Sequence, residues 1–97
     1  MLRAYADAYS NLEVAGVRRV YPGVREADLA KSFSALRSQR VQIQNESIIV
    51  TGASATVTCT WATSFDPRVG SRQTAAPTIV LTLQKSSGGN WIIVDRR

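Results

Sequence analysis

The chain contains no histidine, so the usual imidazole base is absent, and the first candidates for acid–base chemistry are its four aspartates and three tyrosines. A catalytic carboxylate needs a raised pKa in an apolar cavity and a hydrogen-bond donor aimed at the developing oxyanion. Asp7 falls on the polar side of a helical pattern, and Asp28 stands at a predicted helix start. Asp66 precedes a proline, and Asp95 is near the C-terminus. We therefore interpret each aspartate as a cap, a turn residue or a surface charge, and assign no catalytic residue.

Sulfur, metal and phosphate chemistry have equally little support. Cys59 is the only cysteine, so no internal disulfide can form, and no local base or cation would activate its thiol. We expect it to be a small core residue. No cluster of Cys, His, Asp or Glu has the spacing of metal ligands. Gly88 and Gly89 follow a predicted strand and are typical of a hairpin turn, so no phosphate-binding loop is indicated. The expected cofactor and metal content is none.

The formal charge of +5 comes mostly from arginines. This charge fits a solvated basic surface, or a face that binds nucleic acid, acidic protein or anionic lipid. Arg68 and Arg72, in a polar connection, could clamp an anion. The aromatic residues fall on core positions rather than among the arginines, so a platform for stacking bases is not evident and nucleic-acid binding is disfavoured.

Helical spacing dominates the first third of the chain. Leu2, Tyr5 and Tyr9 share one face of a helix predicted from about residue 2 to residue 10. A second helix carries an apolar stripe over residues 14–21 and ends at Pro22-Gly23. A third is predicted from Glu26 to Arg37, with the stripe Leu29, Phe33 and Leu36.

The period changes to two after Arg37, which predicts strands. The phase of the first strand flips between Asn45 and Ser47 and so predicts a bulge or bend. Residues 55–65 then alternate between apolar side chains and threonines, as in a half-buried strand. Residues 67–76 are interpreted as a polar, flexible connection. Two more strands, residues 77–84 and 91–96, flank a turn at residues 86–90.

Three helices followed by four strands predict the α+β class, with the helices on one face of a bent antiparallel sheet. The 97 residues suit a single domain spanning 1–97. No apolar run approaches the roughly 20 residues of a membrane helix. No apolar signal core precedes the first helix, so a cytoplasmic location is expected.

The segments LRAYADAYSNLEVAGVRRVYP, ATVTCTW and TIVLTLQKSSGGNWIIVDRR resemble the nuclear transport factor 2-like superfamily, including its SnoaL-like members. The resemblance implies a cone, in which a strongly curved four-stranded sheet wraps around three N-terminal helices and leaves a pocket at its open end. It also implies a homodimer through the outer face of the sheet. The sequence lacks the strands often found between the second and third helices, which predicts a smaller or more open pocket.

Two sets of residues follow from this cone. The aromatic side chains could line the pocket, although buried tyrosines and tryptophans more often fill a core. The predicted pocket-lining residues are Tyr5, Tyr9, Tyr21, Phe33, Trp61, Phe65 and Trp91. The β-branched residues of the opposite face suit contact between sheets. The predicted dimer face consists of Thr56, Thr58, Thr60, Thr78, Val80 and Thr82.

The leading functional hypothesis is a non-catalytic module that binds a small apolar ligand or assembles proteins. Because similar domains are attached to bacterial signalling proteins, including serine/threonine kinases, the resemblance also suggests a tether to a larger signalling or regulatory protein. The alternative is a small pocket enzyme of the isomerase, dehydratase or hydrolase type, as found among members of the superfamily. An aspartate within hydrogen-bond reach of a tyrosine would favour that alternative.

Overall fold

A computed structural model describes residues 1–97 and has three helices followed by five strands. The helices are α1 (Leu2–Ser10), α2 (Val14–Val20) and α3 (Glu26–Ser34). The strands are β1 (Leu36–Thr51), β2 (Ser54–Pro67), β3 (Gln73–Ala75), β4 (Thr78–Lys85) and β5 (Trp91–Arg96). The order of elements confirms the α+β prediction.

The strands form one antiparallel sheet in the order β1-β2-β4-β5. The first part of β2 pairs with β4, and its last part pairs with the short strand β3. Strand β3 lies in the stretch that was predicted to be a flexible connection, so this part of the prediction was wrong. Its three residues pair through Thr63↔Ala75, Ser64↔Thr74 and Phe65↔Gln73, a backbone contact that a polar sequence does not reveal.

Helix α3 ends three residues earlier than predicted, at Ser34, and Leu36 already belongs to β1. The guanidinium of Arg68 donates from Nε to the carbonyl of Ser34 at 2.7 Å, and the Arg68 amide donates to the carbonyl of Ala35 at 2.9 Å. These donors satisfy carbonyl groups that a longer helix would have bonded internally. The pairing of Leu36 with Pro67 then directs the chain into the sheet.

The predicted bulge in the first strand is confirmed. The pairing of β1 with β2 shifts register between Gln44 and Ser47, and Asn45 has a φ of 54°. Asparagine tolerates this left-handed conformation better than most residues. The shift keeps both apolar sets of β1 on the inner face, because Ile43 pairs with Trp61 and Ile48 pairs with Val57.

The fifteen buried residues form one cluster between the helices and the inner face of the sheet. Strands β2 and β4 contribute the inner row, which is at most 6% exposed: Ala55, Val57, Cys59, Trp61, Ile79, Leu81 and Leu83. The helices contribute Tyr5, Ala6, Ala8, Val17, Leu29 and Phe33. The threonines that alternate with the inner row are exposed or half-buried. The predicted inward and outward faces of the sheet are therefore confirmed.

Two polar contacts fix helix α1 on strand β1. The Val41 amide donates to Ser10 Oγ at 2.9 Å, and Gln39 Nε2 donates to the carbonyl of Tyr9, also at 2.9 Å. These bonds set the position of the tyrosines of α1 over the sheet. None of the three helices combines the length and the apolar character needed to cross a membrane.

Candidate functional site

Four of the aromatic residues singled out from the sequence meet inside the cone. The ring of Tyr9 lies 5.1 Å from that of Tyr5, 5.0 Å from that of Trp61 and 5.4 Å from that of Phe33, each in an edge-to-face arrangement. The rings of Tyr5 and Trp61 are 5.3 Å apart. These separations are those of favourable aromatic pairs. We call Tyr5, Tyr9, Phe33 and Trp61 the aromatic cluster.

A guanidinium packs against the aromatic cluster. The Cζ atom of Arg96 lies 4.3 Å from the ring centroid of Trp61, 5.6 Å from that of Tyr9 and 5.9 Å from that of Tyr5. Arg96 Nη1 also donates a hydrogen bond of 2.8 Å to the hydroxyl of Tyr5. Contacts within about 6 Å of a ring face stabilise a cation. No pattern in the sequence distinguishes Arg96 from the other arginines.

A bulge in β5 directs Arg96 inward. Ile93 pairs with Leu83, whereas Asp95 pairs with Thr82, so Val94 is an extra residue on β5. Without it, alternation from the buried Ile93 would point Asp95 inward and Arg96 outward. With it, Arg96 pairs with Leu81 on the inner face. The run Trp91–Val94 is apolar throughout, so the sequence gives no alternation from which this bulge could be predicted.

Burial raises the pKa of the Tyr5 hydroxyl well above its ordinary value, although the charge of Arg96 acts in the opposite direction. Tyr5 is therefore protonated at neutral pH. Burial also raises the pKa of the Cys59 thiol, with a smaller contribution from Glu46. A raised pKa lowers the thiolate fraction, which agrees with the interpretation of Cys59 as a core residue.

An apolar cleft of about 450 Å³ lies at the N-terminal end of α1. The buried residues Ala55, Val57 and Leu83 line it together with residues of β1, of the start of α1 and of the start of β5. The lining residues are Met1, Leu2, Arg3, Glu46, Ile48, Val50, Ala55, Val57, Leu83 and Trp91. A second depression of about 480 Å³ lies near β3, and five of its eight lining residues are polar or charged, among them Arg40, Gln42, Ser64 and Thr74.

The structure separates the predicted pocket-lining residues into three groups. Tyr5, Phe33 and Trp61 are buried, and Tyr9 is half-buried beside them in the aromatic cluster. Trp91 lines the apolar cleft. The two remaining residues, Tyr21 and Phe65, are half-buried elsewhere. A ligand-binding role for these side chains stays a prediction. Four of the other cleft residues, Leu2, Ala55, Val57 and Leu83, were predicted on apolar faces that pack in the core, because apolar periodicity does not show where the helices end.

Three of the four aspartates pair with arginines. Asp66 accepts two bonds from Arg72, and Asp95 lies 3.5 Å from Arg97. Asp28 lies 3.9 Å from Arg25. Asp7 lines two depressions beside α1. The hydrogen bonds of the structure include none between an aspartate and a tyrosine.

The two arginines predicted as an anion clamp both have protein partners. Arg68 binds the end of α3 and Arg72 binds Asp66. No group of three or more histidine, cysteine, aspartate and glutamate side chains converges where a metal ion could be held.

The six residues of the predicted dimer face share one surface of the sheet. They pair across β2 and β4 as three rows: Thr56↔Thr82, Thr58↔Val80 and Thr60↔Thr78. This outer face is opposite to the aromatic cluster and to the apolar cleft. Its contact with a second copy stays a prediction.

No family model matches the sequence, and a search of curated proteins finds no match. Solved structures do match. A Kribbella flavida protein, Kfla4162, has a TM-score of 0.84 at 15% identity over 99% of this chain and 82% of its own. A nuclear transport factor 2-like superfamily protein from Salmonella enterica serovar Typhimurium has a TM-score of 0.83 at 14% identity, covering 99% of this chain and 82% of its own.

A ketosteroid isomerase-like protein from Erwinia carotovora atroseptica has a TM-score of 0.70 at 18% identity, over 98% of this chain and 86% of its own. At such identities the likeness concerns the fold, and fold does not determine function. The α+β cone predicted from the sequence is confirmed. The chain has the nuclear transport factor 2-like fold.

Proposed function

We propose that this chain is a non-catalytic module that binds a small apolar ligand in the apolar cleft and assembles as a homodimer. The observation that carries the proposal is the cleft itself, in which eight of the ten lining residues are hydrophobic. Its volume of about 450 Å³ lies within the roughly 300–1,000 Å³ range of small-molecule sites.

The walls of the cleft leave apolar surface in water. Ile48 is 52% exposed and Val50 is 59% exposed, and both lie on the inner face of the sheet. Covering such surface contributes roughly 25 cal/mol for each Å² removed from water. Arg3 and Glu46 are the two charged lining residues, so a ligand with a polar end has a preferred orientation.

The sequence resemblance to domains attached to bacterial signalling proteins supports a place for this module in a larger protein of that kind. Ligand binding would then act by changing how the module assembles with other proteins, and the ligand itself would not be chemically altered.

The alternative function is a small pocket enzyme of the isomerase, dehydratase or hydrolase type. The likeness in fold to a ketosteroid isomerase-like protein favours it, and Glu46 is the one carboxylate among the cleft residues. A ligand that leaves the cleft chemically unchanged supports the binding module. A ligand that is converted, with conversion lost in Glu46→Gln, supports the enzyme.

The cleft is tested with N-phenyl-1-naphthylamine, a neutral probe that fluoresces when it leaves water. We expect saturable binding to the unmodified chain, and binding at least roughly tenfold weaker for Ile48→Asp, because a carboxylate would have to be buried beside the probe. Ile49→Asp is the matched control, since Ile49 pairs with Thr56 on the outer face and is 67% exposed. Equal loss in both variants, or no saturable binding at all, would contradict the proposal.

A further inference from the structure

Arg96 carries a positive charge that has no carboxylate partner. The four ion pairs of the structure involve Arg18, Arg25, Arg72 and Arg97. The neighbouring carboxylate, Asp95, pairs with Arg97. Arg96 is nevertheless half-buried, and its only side-chain hydrogen bond goes from Nη1 to Tyr5.

The remaining donors of Arg96 reach the solvent. Among the side-chain polar atoms of residues that are not exposed, Thr63 Oγ1 alone is both buried and without a hydrogen-bond partner. Nε and Nη2 of Arg96 have no partner either, so both must be accessible to water. These two atoms form one edge of the planar guanidinium, with two parallel N–H groups.

The same edge of another arginine in this molecule holds a carboxylate. Arg72 donates from Nε to Asp66 Oδ1 at 3.0 Å and from Nη2 to Asp66 Oδ2 at 2.9 Å. This is the bidentate geometry in which guanidinium and carboxylate match. In Arg96 the corresponding edge is free, while the face of the guanidinium is fixed on Trp61 and Nη1 is fixed by Tyr5. The group is therefore oriented in advance of any ligand.

The bulge at Val94 is the backbone feature that gives Arg96 this position. Bulges often occur beside binding sites, where the extra residue redirects a side chain. Here it places an unpaired cation on the inner face and moves Asp95 out of it. A domain that needed only a packed core would gain more from an apolar residue at this position.

We propose that Arg96 is the recognition residue of a second site, separate from the apolar cleft, for a small organic carboxylate. The carboxylate binds Nε and Nη2 side-on, and Tyr5 and Trp61 act as positioning residues. The aromatic surroundings favour a monovalent anion with delocalised charge over inorganic phosphate, because transferring a doubly charged ion out of water costs more.

The test is a titration with benzoate, followed by the fluorescence of Trp61 in a Trp91→Phe background, which leaves Trp61 as the only tryptophan. We expect a saturable change, and roughly tenfold or weaker affinity in Arg96→Lys, since lysine keeps the charge but cannot bind side-on. Arg97→Lys is the matched control and keeps the original affinity, because Arg97 is highly exposed and pairs with Asp95.

The NMR signal of the Arg96 Nε–H group gives a second measurement in the unmodified protein, and it is expected to shift with benzoate. If Arg96→Lys fails to fold, this signal alone shows whether benzoate binds at Arg96. The absence of any saturable change, an equal loss in Arg97→Lys, or inorganic phosphate that binds at least as tightly as benzoate would overturn the proposal. Binding of N-phenyl-1-naphthylamine is expected to be unchanged in Arg96→Lys. The proposals for the apolar cleft and for the Arg96 site can therefore be refuted independently of each other.

Discussion

Asp66 lies near the end of β2 and accepts hydrogen bonds from two residues. Arg72 binds both carboxylate oxygens, and Ser38 Oγ donates to Oδ2 at 3.0 Å. The bonds from Arg72, and then that from Ser38, lower the pKa of Asp66 from 3.8 to about 2. The ionised carboxylate connects the start of β1 to the segment before β3.

The lowered pKa predicts how this contact depends on pH. Because the folded-state pKa lies below the unfolded value, the stabilisation is complete above about pH 4 and is lost as the pH falls towards 2. We expect Asp66→Asn to have a lower melting temperature than the unmodified chain at pH 7, and the difference to shrink below pH 4 and to be mostly lost by about pH 2. Thermal unfolding followed by circular dichroism measures both values. Asp28→Asn, which removes an exposed pair of 3.9 Å, is the control with a much smaller difference. A difference independent of pH would refute this account.

At the scale of single residues, the sequence predicted burial better than it predicted contacts. The aromatic cluster follows from residues that share apolar faces, which periodicity reveals. The contact of Arg96 with that cluster could not be predicted from periodicity. It depends on Val94, the extra residue of β5, and the sequence of β5 does not alternate between apolar and polar residues. Asp66 and Arg72 have opposite charges and are six positions apart in the sequence. Their pairing could not be predicted, because it depends on the conformation of the chain between them.

At the scale of elements, the contact between α1 and α2 depends on a glycine. A Cβ added at Gly16 would lie 2.9 Å from Ala8 Cβ, which is closer than real Cβ atoms approach. Ala8 is buried, so it has little room to move. Gly16 therefore allows the two short helices to pack closely, although glycine is a poor residue for the interior of a helix.

Gly16→Ala consequently has opposing effects. Alanine improves helix propensity by about 1 kcal/mol, whereas overpacking costs about 1–3 kcal/mol. We expect the clash to dominate and the free energy of unfolding to fall by up to about 2 kcal/mol, as measured by urea denaturation. Gly88→Ala is the control, because a Cβ there meets nothing within 4 Å. An increase in stability for Gly16→Ala would show that the helices can separate at no cost.

Three helices, four main strands and the bulge in β1 could all be predicted at this scale. Each of these features depends on a periodic apolar pattern or on a change in its phase. Such patterns are present in the local sequence. The end of α3 and the strand β3 could not be predicted. Both depend on backbone and guanidinium contacts with residues 8 to 34 positions away, and no local pattern encodes such partners.

At the scale of the whole molecule, the two faces of the sheet differ in what covers them. The inner face is covered by three helices over most of its length and is open at the apolar cleft. The outer face has no covering element within the chain, and its central residues are short, β-branched and flat. Such a surface suits the packing of one sheet on another, with the same residues contributed by both copies.

If the outer face joins two copies, a charge at its centre should separate them. Thr58 is exposed and pairs with Val80 in the middle row, so Thr58→Arg would bring two added cations together across a two-fold axis. We expect the unmodified chain to sediment as a dimer and Thr58→Arg as a folded monomer. Ser87→Arg adds the same charge in an exposed turn and should remain dimeric. An unmodified chain that sediments as a monomer at high concentration would remove the dimer from the proposed function. The apolar cleft and the Arg96 site would be unaffected, because both lie on the inner face.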